Sequence, residues 1–381
     1  MQIEDYAWMV RDLGERPSSL HLADEHLYAG GWDGRLTCWH VDGEQRWTVQ
    51  LPDRIQEMAR RDGAIFLTSG LFVMRVNSAD GSVDWQVMTE GSADSIIFDS
   101  GNDHILVTSS VYDIEHGDFM ESACWRIDST SGEILNVQRF SERPWHLSLQ
   151  DGKFRLGLGR PRGGLLLVSE NGDMEWNELG DESPVTCGVD GRSSQMYGHA
   201  NGSISRWNGT SANLVTTREH PVETIACTPD GLLLGLENGI VEALTETGEE
   251  SWSRQLEGPI IDAVVGMTIA GSTTAWLQYR LAMGGGLVVC NVLDGSEIAE
   301  FKFNCSPTAI ATSEQFSVVA TENGDIFLIE AGLFQRRLSV AVDGEKSGGE
   351  TEAESEGAGD LVTVAEKRRE MMAKLRRLRG E

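Results

Sequence analysis

The stretch NGIVEALTETGEESWSRQLEG (residues 238–258) holds two turn dipeptides, Asn238-Gly239 and Thr247-Gly248, around the strand-like run IVEALTE. Gly, Asn and Asp tolerate the positive φ that tight hairpins require, so each dipeptide reverses the chain between two strands. Trp252 stands four residues after the second glycine.

Moving outward from this unit, the same arrangement recurs. Outer turns fall at Asp42-Gly43, Asp80-Gly81, Ser131-Gly132, Asn171-Gly172, Asn208-Gly209, Thr247-Gly248 and Asp294-Gly295, spaced 38, 51, 40, 37, 39 and 47 residues apart. Trp47, Trp85, Trp176 and Trp252 each lie four residues beyond such a glycine; Asn136, Asn213 and Ala299 hold the place in the remaining units. Middle turns precede them, among them Asp33-Gly34, Asn201-Gly202, Gly285-Gly286 and Asn323-Gly324, and inner turns such as Asp62-Gly63 and Asp151-Gly152 complete the set. Runs with strand character, such as HLYAGG, AIFLTSG, GLLLGLE and DIFLIEA, fill the intervals. Four short strands per unit of about 38 residues read as a propeller blade.

Eight innermost strands begin near residues 19, 55, 93, 144, 183, 222, 260 and 307. The expected fold is therefore all-β, a β-propeller of eight four-stranded blades, with seven as the alternative, over residues 1–340. Trp8-Met-Val-Arg-Asp-Leu13 resembles the outer strand Trp47–Leu51, so the N-terminal strand is expected to complete the last blade and leave no open edge. LFQRRL (333–338) is its rival for that place, and helical spacing is absent before the C-terminal tail.

GEQRW, GSVDW, GDMEW and GEESW, together with the stretch at 238–258, resemble the repeat of the quinoprotein-type propellers, the pyrroloquinoline quinone-like repeat, over roughly residues 4–338. The WD40-like superfamily is the runner-up, but no Gly-His followed by a closing Trp-Asp recurs at the right places. The resemblance implies that Trp8, Trp47, Trp85, Trp176 and Trp252 lock neighbouring blades together. It speaks for fold and hardly for function. Quinoprotein dehydrogenases need a bound quinone, a calcium ion, an acidic base and a disulfide of adjacent cysteines; no two cysteines here are adjacent. The expectation is a non-enzymatic member with no cofactor.

Composition narrows the class of partner. With 60 acidic against 31 basic residues the net charge is −29, which repels nucleic acid phosphates and anionic membrane surfaces. Only five of the basic residues are lysines. No apolar run is long enough to span a bilayer, and the six scattered cysteines suit a reducing compartment, so a cytoplasmic, monomeric propeller is expected.

Motifs for chemistry are sparse. Gly157 to Gly164 looks like a phosphate-binding loop, but a strand, LLLVSE, follows where a helix is needed. Asp113, Glu115, His116, Asp118 and Glu121 crowd one loop that reads as solvated rather than metal-binding, so no metal site is assigned.

Two insertions, about 109–122 and 272–285, are read as loops between the second and third strands of blades 3 and 7, facing each other across the channel on one face. Their aromatics Tyr112, Phe119, Trp276 and Tyr279, with Arg160 and Arg162 in the same class of loop of blade 4, are the candidate partner-binding residues.

The tail is separate. Residues 341–361 are read as an acidic disordered linker and 362–380 as a basic amphipathic helix. In the helix Met371, Leu375 and Leu378 share a face beside Arg368, Arg369 and Arg376. It is a second candidate contact, for a protein partner or for its own propeller, and the only place open to nucleic acid. The expected function is a non-catalytic protein-interaction scaffold; the alternative is a propeller that holds a small molecule or metal in its central channel. Inner strands such as SIIFDS, TIACTP and IIDAVV show few charged groups that would serve such a channel.

Overall fold

A computed structural model describes residues 1–347 other than 100, 161, 192 and 193, and the backbone alone of 341–347. The chain divides into two units, Met1–Phe334 and Gln335–Glu381. The first contains eight four-stranded antiparallel sheets. Seven are consecutive in sequence and occupy residues 17–50, 55–88, 92–140, 144–177, 185–217, 222–255 and 260–303.

The eighth joins Pro307–Thr312, Phe316–Thr321 and Asp325–Glu330 to Met9–Asp12, which pairs antiparallel with the third of these in the register Met9↔Leu328 to Asp12↔Asp325. The two ends of the propeller thus share one sheet, and no strand edge is left at the seam.

All seven outer-turn glycines have positive φ, from 68° at Gly295 to 98° at Gly43. Several serve the seams as well. The indole N–H groups of Trp8, Trp47, Trp85 and Trp252 donate to the carbonyls of Val41, Ser78, Ser129 and Val292, each in the next blade, at 2.9, 2.9, 3.2 and 2.8 Å. A Cβ on Gly81, Gly132 or Gly295 would collide with the ring of Trp47, Trp85 or Trp252. The turn glycine therefore permits the reversal and also admits the neighbouring indole.

Trp176 departs from this rule. Its indole makes no such bond among the described residues, the ring is 43% exposed, and the Arg162 guanidinium lies 4.7 Å over it. Gly209, in the turn it would meet, has no atom within contact of a Cβ position.

Two expectations are corrected. LFQRRL is not a strand: it lies in a helix, Ala331–Ser347, that also runs into the start of the stretch read as linker. Glu330 starts this helix by accepting hydrogen bonds from the backbone N–H of Gly332 and Leu333 at 3.0 and 2.6 Å.

The second correction concerns blade 7. Residues 272–285 are not a loop between its second and third strands. Ser272–Arg280 is the second strand itself, the inner strand Ile260–Ile269 is lengthened to meet it, and the extra residues turn at Ala270 and Gly271, with φ of 51° and 83°. Gly285 and Gly286 begin the third strand, Gly285–Asn291. Gly286 is needed there because a Cβ would collide with the Tyr279 ring.

In blade 3 the extra residues do join the second and third strands, His104–Asp113 and Asp118–Asp128. Turns between strands one and two leave a blade at the opposite end from turns between strands two and three. The two extensions therefore stand on opposite faces. The tail helix expected at 362–380, with Arg368, Arg369, Met371, Leu375, Arg376 and Leu378, lies outside the described residues.

Candidate functional site

One end of every blade carries the turn between strands two and three together with the crossover from the preceding blade; we call this the upper face. Here the residue just before each inner strand occupies an equivalent position, because its carbonyl accepts from the end of the second strand. Trp32 N–H donates to Arg16 O at 3.0 Å, Gly70 N–H to Arg54 O at 3.1 Å and Gly159 N–H to Arg143 O at 2.7 Å. Around the ring the position reads Arg16, Arg54 and Arg143 in blades 1, 2 and 4 and Pro184, Pro221, Pro259 and Ser306 in blades 5–8, while in blade 3 Gly91 precedes the inner strand, which begins at Ser92. Three guanidinium groups are thus placed on one half of the ring.

Aromatic rings hold them. Arg54 and Arg16 lie over Trp32 at 3.9 and 4.9 Å. Arg143 lies over Phe119 at 3.9 Å and over Trp145 at 4.3 Å, and pairs with the buried Asp94 at 3.1 Å. Guanidinium–ring stacks of this kind are worth roughly 0.5–1 kcal/mol at an exposed site and fix the orientation of the fork.

Burial, then repulsion from Arg16 and Arg143, lowers the Arg54 guanidinium below its usual pKa, so the three charges share one field. Among the described residues no carboxylate pairs with Arg16 or Arg54, and the Nε of Arg54 is buried without a hydrogen-bond partner. Trp32, Tyr112 and Trp145 are 41%, 52% and 50% exposed. The Gly31-Trp32-Asp33-Gly34 turn lifts Trp32 clear of the blade, while the inner strand Pro144–Gln150 places Trp145 beside Gly159.

The residues expected from sequence divide in two. Tyr112 and Phe119 meet edge to face at 5.1 Å on the blade 3 hairpin, and Phe119 covers Arg143, so both belong to this cluster. Arg160 is exposed in the adjoining turn. Arg162 pairs with the buried Glu142 at 2.9 Å. Trp276 and Tyr279, expected as exposed anchors, are both fully buried. The Trp276 indole donates to Thr274 Oγ1 at 2.8 Å and its ring packs on Phe334, while the Tyr279 hydroxyl donates to Glu300 at 3.0 Å. They face the core because 272–280 is a strand inside the sheet.

Sequence reading missed Arg16, Trp32, Arg54, Arg143 and Trp145. A signal existed: Glu-Arg-Pro occurs at 15–17 and again at 142–144, both at the entry to an inner strand.

The channel side carries more carboxylates than the strand sequences suggested, but they are engaged. Glu57 accepts from Ile96 N–H at 3.2 Å, and burial pushes its carboxyl up to about 7. Burial likewise raises Asp262, which accepts from Ala263 N–H at 2.8 Å and from Thr224. Asp113 accepts from Glu115 and His116 N–H, which closes its own turn. Among the described residues no group of three or more His, Cys, Asp or Glu side chains is placed to hold a metal ion.

A Ser–His contact, His199 Nε2 to Ser205 Oγ at 2.9 Å, is fully buried, and Nδ1 meets the Ser183 carbonyl at 2.8 Å. Burial pushes the thiols of Cys124, Cys187 and Cys290 up to about 12, far from a thiolate nucleophile. No helix of the described residues is long and apolar enough to cross a membrane.

Comparisons with known proteins agree on architecture. The family described as outer membrane protein assembly factor BamB matches residues 6–118. Among solved structures, Sqt1 of Saccharomyces cerevisiae is similar at a TM-score of 0.70 and 12% identity, covering 86% of this chain and 99% of that one. BamB of Moraxella catarrhalis is similar at 0.65 and 12%, covering 85% and 99%, and the C-terminal WD40 domain of Sif2 at 0.67 and 12%, covering 85% and 99%. No curated protein matches the chain in sequence.

Proposed function

We propose that this eight-bladed β-propeller, similar in fold to PQQ-like and WD40-like propellers, is a non-catalytic scaffold whose upper face, over blades 1–4, docks a partner protein. The observation that carries this reading is the set of exposed aromatics Trp32, Tyr112 and Trp145, interleaved with stacked arginines on a rigid rim. Exposed Trp and Tyr beside Arg are the residue types that dominate binding hot spots. The family whose model matches residues 6–118 is described as an assembly factor, which is in keeping with such a role. The basic segment at 362–380 supplies a second, tethered contact in this reading, which raises the effective concentration of the partner.

The test is affinity capture from the native host with the full chain, beside Trp32→Ser/Tyr112→Ser and beside a chain ending at Val340. One or more proteins captured by the full chain and lost from the double variant support the reading. Capture that is indifferent to both substitutions overturns it.

A further inference from the structure

We infer that the upper rim of blades 1–4 recognises an acidic peptide segment, with the Arg16 and Arg54 forks receiving its carboxylates, Arg143 adding its charge to the field, and Trp32 and Trp145 flanking them. This deepens the proposed function and rests on it. The argument starts from charge. In a chain of net charge −29, arginines on an exposed rim would be expected to find acidic neighbours, yet Arg16 and Arg54 stack together on Trp32 with no carboxylate paired to either among the described residues. Bringing like charges together is unfavourable, and the lowered pKa of Arg54, set by burial and then by Arg16 and Arg143, records that cost. An incoming anion relieves it.

The geometry selects the kind of anion. A planar guanidinium fork held against a ring matches the bidentate geometry of a carboxylate. Half-exposed indoles beside them offer apolar area to the side chains that alternate with those carboxylates in an extended peptide. The row of arginines bounds the ligand: the equivalent positions in blades 5–7 are prolines, so the row itself ends at blade 4. A polyphosphate chain would run from this patch onto an acidic body and be repelled, which disfavours nucleic acid. A short run of a few carboxylates is not so penalised.

The test uses the full chain and three probes: a labelled peptide alternating Glu with Leu, its Gln-for-Glu counterpart, and oligothymidylate. The Glu peptide is expected to bind, with affinity falling as salt rises. Arg16→Glu and Arg54→Glu should each weaken it about tenfold, the scale of a charge-assisted hydrogen bond. Arg54→Lys, which keeps the charge and loses the fork, should fall between. Both arginines lie on the rim, so circular dichroism and the unfolding midpoint of each variant should match the parent.

No binding of the Glu peptide, equal binding of the Gln peptide, tighter binding of oligothymidylate, or a Glu peptide affinity unchanged by both reversals would each overturn the inference. Its failure is separable from that of the scaffold reading. If capture of a host protein is lost in Trp32→Ser/Tyr112→Ser but survives Arg16→Glu/Arg54→Glu, the face is right and the carboxylate chemistry is wrong.

Discussion

Blades 3 and 7 both outgrow the repeat, and they use the extra residues in opposite ways. Blade 3 extends the hairpin between its second and third strands, which lifts Tyr112 into solvent and lays Phe119 over Arg143. Blade 7 extends the hairpin between its first and second strands toward the other face, where Met267 and Thr268 N–H donate to the carbonyls of Ser313 and Glu314 in blade 8 at 2.7 and 3.0 Å. One insertion makes a surface and the other makes a seam. Aromatic content does not distinguish them; the strand pair that carries the insertion does.

Substitutions should separate the two. Trp276→Ala in blade 7 removes a fully buried ring and should cost about 3–5 kcal/mol, read as a lowered midpoint in urea with the slope unchanged. Next in size, Gly286→Ala should cost about 1–3 kcal/mol, because the new methyl collides with the Tyr279 ring. A cost near zero there would mean that the glycine serves a turn after all.

The junction of blades 2 and 3 should respond to pH. Glu57, bonded to Ile96 N–H, has a folded pKa raised from 4.5 to about 7. A raised carboxyl contributes stability that is complete below the unfolded value and is lost as pH climbs through the folded one. Glu57→Gln should therefore be more stable than the parent at pH above about 7, by roughly 1–2 kcal/mol, and indistinguishable from it below about pH 4.5. Thermal unfolding across that range checks the sign; a benefit that appears only in acid would refute it.

Smallest of all, Tyr112→Ser at the exposed tip of blade 3 should change stability by less than about 0.5 kcal/mol, so that any loss of partner capture reports on binding alone.

Which of these features were legible beforehand follows from turn chemistry. Asp-Gly and Asn-Gly turns marked most outer and middle hairpins, and the likeness of Trp8–Leu13 to Trp47–Leu51 pointed to the closing strand. Blade 7 was misread because its real turn, Ala270-Gly271, lacks the Asn or Asp that announces a reversal, while Gly285-Gly286 imitates one inside a strand. The rim cluster escaped because its members come from 15–17, 31–34, 53–55 and 142–145, four segments that only the ring brings together. Trp176 shows the limit of motif reading in the other direction: the residue and spacing fit a blade lock, but its indole is taken up beneath Arg162.

The shared sheet of the last blade sets a schedule for the ribosome. Residue 9 emerges long before residue 328, its partner across the seam, and at about 5–20 residues per second the wait is roughly 16–64 seconds. Seven blades can assemble in order while Met9–Asp12 has nowhere to go. A protease pulse on stalled nascent chains should cut near Arg11 until the third strand of blade 8 has cleared the exit tunnel, and spare it afterwards; early protection would mean that the strand finds a temporary host.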